Sequence, residues 1–111
     1  MKVHSSEEHG VTILSLEGRL ETNTAEIYDT AFEAAHANGA TKYVLDCGSL
    51  TYISSIGLRS ILQSLKRLSA CDGDLAIAAP APMIMEIFEI SGFKSLLSIH
   101  PDRTAAVAAL V

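Results

Sequence analysis

The sequence predicts an alternating α/β domain in which helices pack a central mixed, mainly parallel sheet. Three observations predict it. Apolar spacing switches repeatedly between the two-residue repeat of a strand and the longer repeat of an amphipathic helix. Short continuous apolar runs such as Tyr43-Val44-Leu45 suit strands covered on both faces, as in sheets fed by helical crossovers. With 111 residues, 49% of them hydrophobic and 19% charged, the chain has the size and apolar content for one core and too little charge for a disordered segment.

Val3 to Glu8 and Val11 to Leu16 read as β-prone runs joined at His9-Gly10 in a hairpin, and Gly18-Arg19-Leu20 leads out of the second strand. Asn23 is placed to cap a helix, with Glu26 three residues on completing a capping box. Tyr28, Ala31, Phe32 and Ala35 share one face of that helix, which Asn38-Gly39 ends in a left-handed stop. Tyr43 to Leu45 forms the third strand, ended by Asp46, and Cys47 to Ser54 is expected to be a loop. Leu58, Ile61, Leu62, Leu65 and Leu68 make an apolar stripe opposed by Arg59, Gln63, Lys66 and Arg67, so a second amphipathic helix follows.

Asp72-Gly73 is a turn and Leu75 to Ala79 a buried strand. Pro82 suits the first position of a third helix, with Ile84, Ile87 and Phe88 facing inward until Ser91-Gly92 ends it. Leu96 to Ile99 makes the last strand, and Pro101-Asp102 opens a terminal Ala-rich helix from Arg103 to about Leu110. The predicted order is β-β-α-β-α-β-α-β-α in one domain over residues 1–111. Crossovers are right-handed, and the first strand is free to pair antiparallel.

Thirteen acidic against eight basic residues give a net charge of −5. Phosphate backbones and anionic lipid are met by clustered Lys and Arg, and no such cluster exists, so neither nucleic acid nor membrane insertion is expected. The start of the chain carries no long apolar run, and a cytoplasmic location is expected. Cys47 and Cys71 are far apart and read as small core or surface residues rather than a redox pair. His4, His9, His36 and His100 are scattered singly, so no metal site is expected, and no motif calls for a cofactor.

The segment that bears chemistry is Val44 to Arg59. Ser54 and Ser55 stand directly before a helix, where the first backbone N–H groups lack intrahelical acceptors and the helix dipole is positive. One reading is N-capping. The other is that one hydroxyl, at a site that welcomes anions, accepts a phosphate.

Leu45-Asp46 together with Tyr52-Ile53-Ser54-Ser55-Ile56-Gly57-Leu58-Arg59 resembles the signature of STAS domains, the fold shared by bacterial anti-sigma factor antagonists and the cytoplasmic tails of sulfate transporters. Gly18-Arg19-Leu20-Glu21-Thr22 is similar to that family's G-x-L-D turn, and Glu86 to Phe93 to its third helix and the Gly that ends it. The resemblance implies a stand-alone antagonist, a partner-switching regulator rather than an enzyme. When unphosphorylated, such a protein binds an anti-sigma factor that is also a serine kinase of the ATPase fold. Phosphorylation ends that complex, and a serine phosphatase restores it. By position the phosphoacceptor is Ser55, with Ser54 as second choice. Ser54 stands where many antagonists have Asp and Ile56 where they have a second Ser.

The same resemblance places the partner surface at Glu21, Thr22, Asp46, Ser54, Ser55, Ile56, Gly57 and Arg59. Separately, Met83, Ile84, Met85 and Ile87 leave the third helix apolar around much of its circumference, so Met85 is read as part of an adaptable docking patch. Asp46 also has a structural reading, as an acceptor for loop N–H groups. A monomer or weak dimer is expected. An alternative keeps the fold and makes the chain a non-switching subunit of a signalling or transporter complex, with Ser55 only a cap. A third reading, a phosphorelay receiver using Asp46, lacks the further acidic residues needed to hold Mg²⁺. Glu17 alone cannot supply them. No nucleophile elbow or phosphate-cradling glycine motif is present.

Overall fold

In the computed structural model, which describes all 111 residues, the chain runs through β1 (Lys2–Glu8), β2 (Val11–Leu20), α1 (Ala25–Ala37), β3 (Lys42–Ile53), α2 (Ser55–Ser69), β4 (Asp74–Ala78), α3 (Pro82–Ile90), a short 3-10 helix (Phe93–Leu96), β5 (Ser98–His100) and α4 (Arg103–Leu110). The sheet order is β1-β2-β3-β4-β5. β1 and β2 are antiparallel, and the other neighbours are parallel. Strand order never reverses along the parallel part, so crossovers of one hand put their helices on one face. Accordingly α1, α2 and α3 share a core with Leu14, Leu16, Leu45, Cys47 and Ile77. On the other face α4 lies over Val11, Ile13, Val44, Ala76 and Ala78, where the alanines of β4 meet Ala106 and Val107. No helix is long and apolar enough to cross a membrane.

Element order and sheet type agree with the sequence reading, but several boundaries move. β3 does not end at Asp46. It runs on to Ile53, so the expected loop from Cys47 to Ser54 is strand almost throughout. The register against β2 slips twice: Ser15 pairs with Asp46 and Glu17 with Ser49, then Gly18 pairs with Leu50 and Arg19 with Tyr52. Each slip puts one extra residue on β3, a β-bulge, and the buried residues therefore fall at Leu45, Cys47, Leu50 and Ile53 instead of at alternate positions. β2 likewise continues to Leu20, with Gly18 at φ +105° beside the second slip.

Asn23 does not cap α1. The position falls to Thr24, which makes no side-chain cap bond. Its hydroxyl is spent in the turn, donating to the Arg19 carbonyl at 2.6 Å and accepting from the Glu21 N–H at 3.0 Å, while the Glu21 carbonyl takes the N–H groups of Thr24 and Ala25. The last strand is displaced from Leu96–Ile99 to Ser98–His100, because Gly92 at φ +81° opens a 3-10 turn. As expected, Pro82 sits in the first turn of α3, and Asp102 caps α4 through the Ala105 N–H at 2.8 Å.

Two serines on α2, Ser60 and Ser64, are buried where the apolar stripe alone would not place them. Ser64 accepts a hydrogen bond from the Tyr28 hydroxyl at 2.8 Å and donates to the Ser60 carbonyl, which ties α1 to α2. Arg67 of α2 also pairs with Glu33 of α1.

The joint that matters most for the site lies between the end of β2 and the start of α2. The Ser54 N–H donates to the Leu20 carbonyl at 2.9 Å. A Cβ on Gly57 would lie 2.6 Å from that oxygen and 2.8 Å from the Leu20 side chain. Only glycine lets the first turn of α2 settle against β2. On an exposed helix, Gly→Ala gains up to about 1 kcal/mol, but here overpacking against backbone dominates. Gly57→Ala is expected to lose about 2–3 kcal/mol in urea unfolding.

Alkaline pH provides a second measurement. Burial pushes the Cys47 thiol from 9.0 up to about 12, with the Asp46 carboxylate adding to the shift. Burial raises Tyr43, whose hydroxyl has no hydrogen-bond partner, from 10.0 to about 12. It raises Tyr28 further, against the lowering effect of the Ser64 hydrogen bond. The unfolded groups release protons first, so the stability present at neutral pH is lost progressively as pH rises from about 9 towards 12. Urea unfolding at about pH 10.5 is expected to show a loss of about 3–4 kcal/mol relative to neutral pH, roughly half of it from Cys47. Cys47→Ala should move the onset upward, towards the phenol range.

Candidate functional site

The two adjacent serines have different fates. Ser54 is the N-cap of α2, in an extended conformation, and its Oγ accepts the Gly57 N–H at 3.2 Å. Its carbonyl accepts the Leu58 N–H, and its own N–H is held by Leu20. Ser54 is thus half-buried and committed at the side chain and both peptide groups. Ser55 is the first residue of the helix, exposed, with a hydroxyl that bonds to no other protein group. Capping and availability, which the sequence left open between the two hydroxyls, are divided one to each.

Ser55 opens onto a surface groove of about 430 Å³ lined also by Arg59, Leu62, Gln63, Lys66 and Phe93. The five α2 residues recur at helical spacing along one stripe, so periodicity makes them neighbours. Phe93 comes from the 3-10 turn after α3, and nothing local in the sequence announces it. The groove contains two cations and no acidic side chain, and the first turn of α2 carries no Asp or Glu. Together with the helix dipole, this makes the surroundings of Ser55 electropositive in a chain of net charge −5.

Other residues of the expected surface fall into separate groups. Ile56 is 38% exposed beside Ser55, while Gly57 is buried under Leu20. Glu21 and Thr22 occupy the turn after β2, adjoining the joint that Ser54 makes with Leu20. The Glu21 carboxylate takes the Arg19 Nε–H at 2.6 Å, and the Arg19 guanidinium lies 4.4 Å over the Tyr52 ring. Sequence reasoning missed that Arg19–Tyr52 stack, since it depends on the second register slip of β3.

Asp46 belongs elsewhere. It follows Val44 on the sheet face covered by α4, where Oδ2 accepts Nε–H and Nη2–H of Arg103 at 3.1 and 2.8 Å, while Oδ1 accepts the Gly48 N–H at 3.0 Å. Asp46 thus accepts a single backbone N–H, that of Gly48 within β3 rather than in a loop, and its other oxygen answers to Arg103, a partner the sequence does not announce. No group of three or more His, Cys, Asp or Glu side chains gathers where a metal ion could be held. Met85 is half-buried on α3, and no hydrogen bond, ion pair or shared groove ties it or Asp46 to Ser55. The exposed apolar side chains of α3 are Met83 and Ile90.

This arrangement can present a free hydroxyl at a helix start and tolerate an anion there without unfolding anything. It contains no base or second nucleophile paired with Ser55.

Known proteins share both sequence and architecture with the chain. The candidate anti-sigma factor antagonist BtrV of Bordetella bronchiseptica is 38% identical over 109 residues, which cover 98% of this chain and 94% of that protein. An anti-sigma factor antagonist from Mycobacterium paratuberculosis superposes with a TM-score of 0.89 at 19% identity, covering 98% of this chain and 92% of that one. The phosphorylated form of the Bacillus cell fate determinant SpoIIAA superposes with a TM-score of 0.73 at 19% identity, covering 97% and 99%. The family model described as the STAS domain matches residues 2–106, nearly the whole length. On that match and that level of identity, the chain belongs to the STAS domain family, among relatives named as anti-sigma factor antagonists.

Proposed function

We propose that this protein is an anti-sigma factor antagonist that switches partners through phosphorylation of Ser55. Unphosphorylated, it binds a cytoplasmic anti-sigma factor that is also a serine kinase of the ATPase fold. The phosphorylated form is released, and a serine phosphatase resets it. Its role is binding, not catalysis.

The observation that carries this reading is the free, exposed Ser55 hydroxyl beside the committed one of Ser54. The identity to BtrV and the likeness to a phosphorylated SpoIIAA support it. A phosphoserine brings roughly −1.5 to −2 charges. At the start of α2, next to Arg59 and with no acidic residue in the first turn, that charge is tolerated by the domain. The partner, shaped to a neutral hydroxyl, meets a desolvated anion instead, and a few kcal/mol of repulsion lowers affinity by about two decades or more. The contact surface proposed around Ser55 comprises Ile56, Arg59, Glu21 and Thr22.

Incubation with the cognate kinase and ATP, followed by phosphosite mapping, is expected to find phosphate on Ser55 and to find it still there in Ser54→Ala, which loses about 1 kcal/mol of helix capping. Ser55→Ala should keep partner binding, and Ser55→Asp or Ser55→Glu should weaken it at least tenfold with an unchanged melting temperature. Modification at Ser54 alone would overturn the assignment of the switch to Ser55, and no modification together with full-strength binding by both acidic variants would replace the switch with a non-switching STAS subunit.

A further inference from the structure

We propose that β1 is a self-association edge, through which two copies of this chain join antiparallel, β1 to β1, into one continuous sheet. β1 lies at the end of the sheet and pairs only with β2, and every residue from His4 to Glu8 is exposed. The hairpin turn fixes which peptide groups are free. His9 and Gly10 form a two-residue loop with φ +52° and +81°, the mirror-image turn geometry that matches strand twist. In such a loop the flanking residues, Glu8 and Val11, exchange both backbone hydrogen bonds, and pairing alternates from there. Lys2, His4, Ser6 and Glu8 therefore bond to β2, and the peptide groups of Val3, Ser5 and Glu7 point away from the sheet.

Those outward groups restrict the register with a second copy. In an antiparallel ladder, directly opposed residues are both of the outward class or both of the inward class, so a slip of one residue forms no ladder. Among the allowed registers, only the one centred on Ser5 opposite Ser5 of the second copy uses all seven residues. It places Lys2 opposite Glu8 of the second copy, twice by symmetry, at non-hydrogen-bonded positions where side chains are closest. A slip of two residues one way sets His4 against His4, and the other way leaves Lys2 outside the ladder.

The charges of the strand fit that arrangement. No ion pair within the chain uses Lys2 or Glu7, and Glu8 approaches Arg103 only to 4.0 Å. Lys2 and Glu8 stand on the same face of β1, the face of α4, because Glu8 opposes Val11 there and Lys2 is an even number of residues away. The strand is thus positive at one end and negative at the other on a single face, as a two-fold pairing requires. Monomers blunt an exposed edge with bulges, proline, a cover or unpaired charge, and in the two-fold pairing the charges of Lys2 and Glu8 meet opposite partners instead of repelling. β1 has neither a bulge against β2 nor a proline. No residue of the Ser55 groove lies on β1.

Sedimentation equilibrium over a dilution series tests the proposal. The wild-type chain is expected to dimerise reversibly. Lys2→Glu and Glu8→Lys alone should each weaken the dimer about tenfold, since each sets like charges opposite one another at two places. Their equimolar mixture should recover wild-type affinity, because the edge that Lys2→Glu leaves acidic at both ends then meets the edge that Glu8→Lys leaves basic at both ends. Ser5→Pro removes an outward N–H at the centre of the ladder without touching the bonds to β2, and should abolish dimerisation with the far-ultraviolet circular dichroism unchanged. A wild type that stays monomeric at its highest soluble concentration overturns the proposal. So does a charge-reversed mixture no tighter than its components, or a Ser5→Pro chain that is folded and dimerises normally.

Discussion

One carbonyl oxygen, that of Leu20, organises the site. It receives the Ser54 N–H, and it sits where any side chain at Gly57 would have to go. These two facts pin the first turn of α2 to the end of β2. Once the turn is pinned, the extended conformation of Ser54 aims its hydroxyl at the Gly57 N–H, and the next residue begins the helix facing outward. The exposure of Ser55 is therefore a consequence of backbone packing one residue away. A free hydroxyl and a rigid helix start come from the same contact, so a charge can be added at Ser55 without the domain having to rearrange.

The two faces of the sheet carry different burdens. Because strand order does not reverse along the parallel strands, the three crossover helices crowd onto one face, and the other is left to α4. Asp46 serves that second face: its carboxylate holds Arg103 at the start of α4 and the Gly48 N–H at the first bulge of β3. A carboxylate with an arginine fork on one oxygen and a backbone donor on the other is well satisfied. It links the bulge that redirects β3 to the helix that closes the lower core. The groove beside Ser55 lies on α2 and borrows Phe93 from the 3-10 turn that follows α3, so its shape depends on how that turn meets α2 and not on α4.

Energy scales separate folding from switching. A domain of this size is stable by about 5–15 kcal/mol. A change of a few kcal/mol confined to an exposed, electropositive helix start alters what another surface can accept there while leaving the fold well populated. The same separation holds for β1, whose charges and free peptide groups lie outside both cores.

Much of this was legible from local patterns. Amphipathic spacing located α2 and its inward stripe, of which Leu58, Ile61 and Leu68 are buried, and the Asp102 cap, the Pro82 helix start and the Gly92 stop were readable as short-range chemistry. The second half of β3 was hidden, because two bulges turn its buried positions into a spacing of two, three and three residues, which matches neither a strand nor a helix. The cap of α1 was misplaced because the Thr24 hydroxyl answers to Arg19 and Glu21 rather than to its own helix. The sequence by itself determined the fold class, the order of elements and the pair of serines at a helix start, since these follow from periodicity and from backbone groups that every helix leaves unpaired. Only the tertiary structure decided which serine is spent and which is free, which face holds Asp46, and that Phe93 joins Arg59 and Lys66, because each depends on the approach of segments distant along the chain.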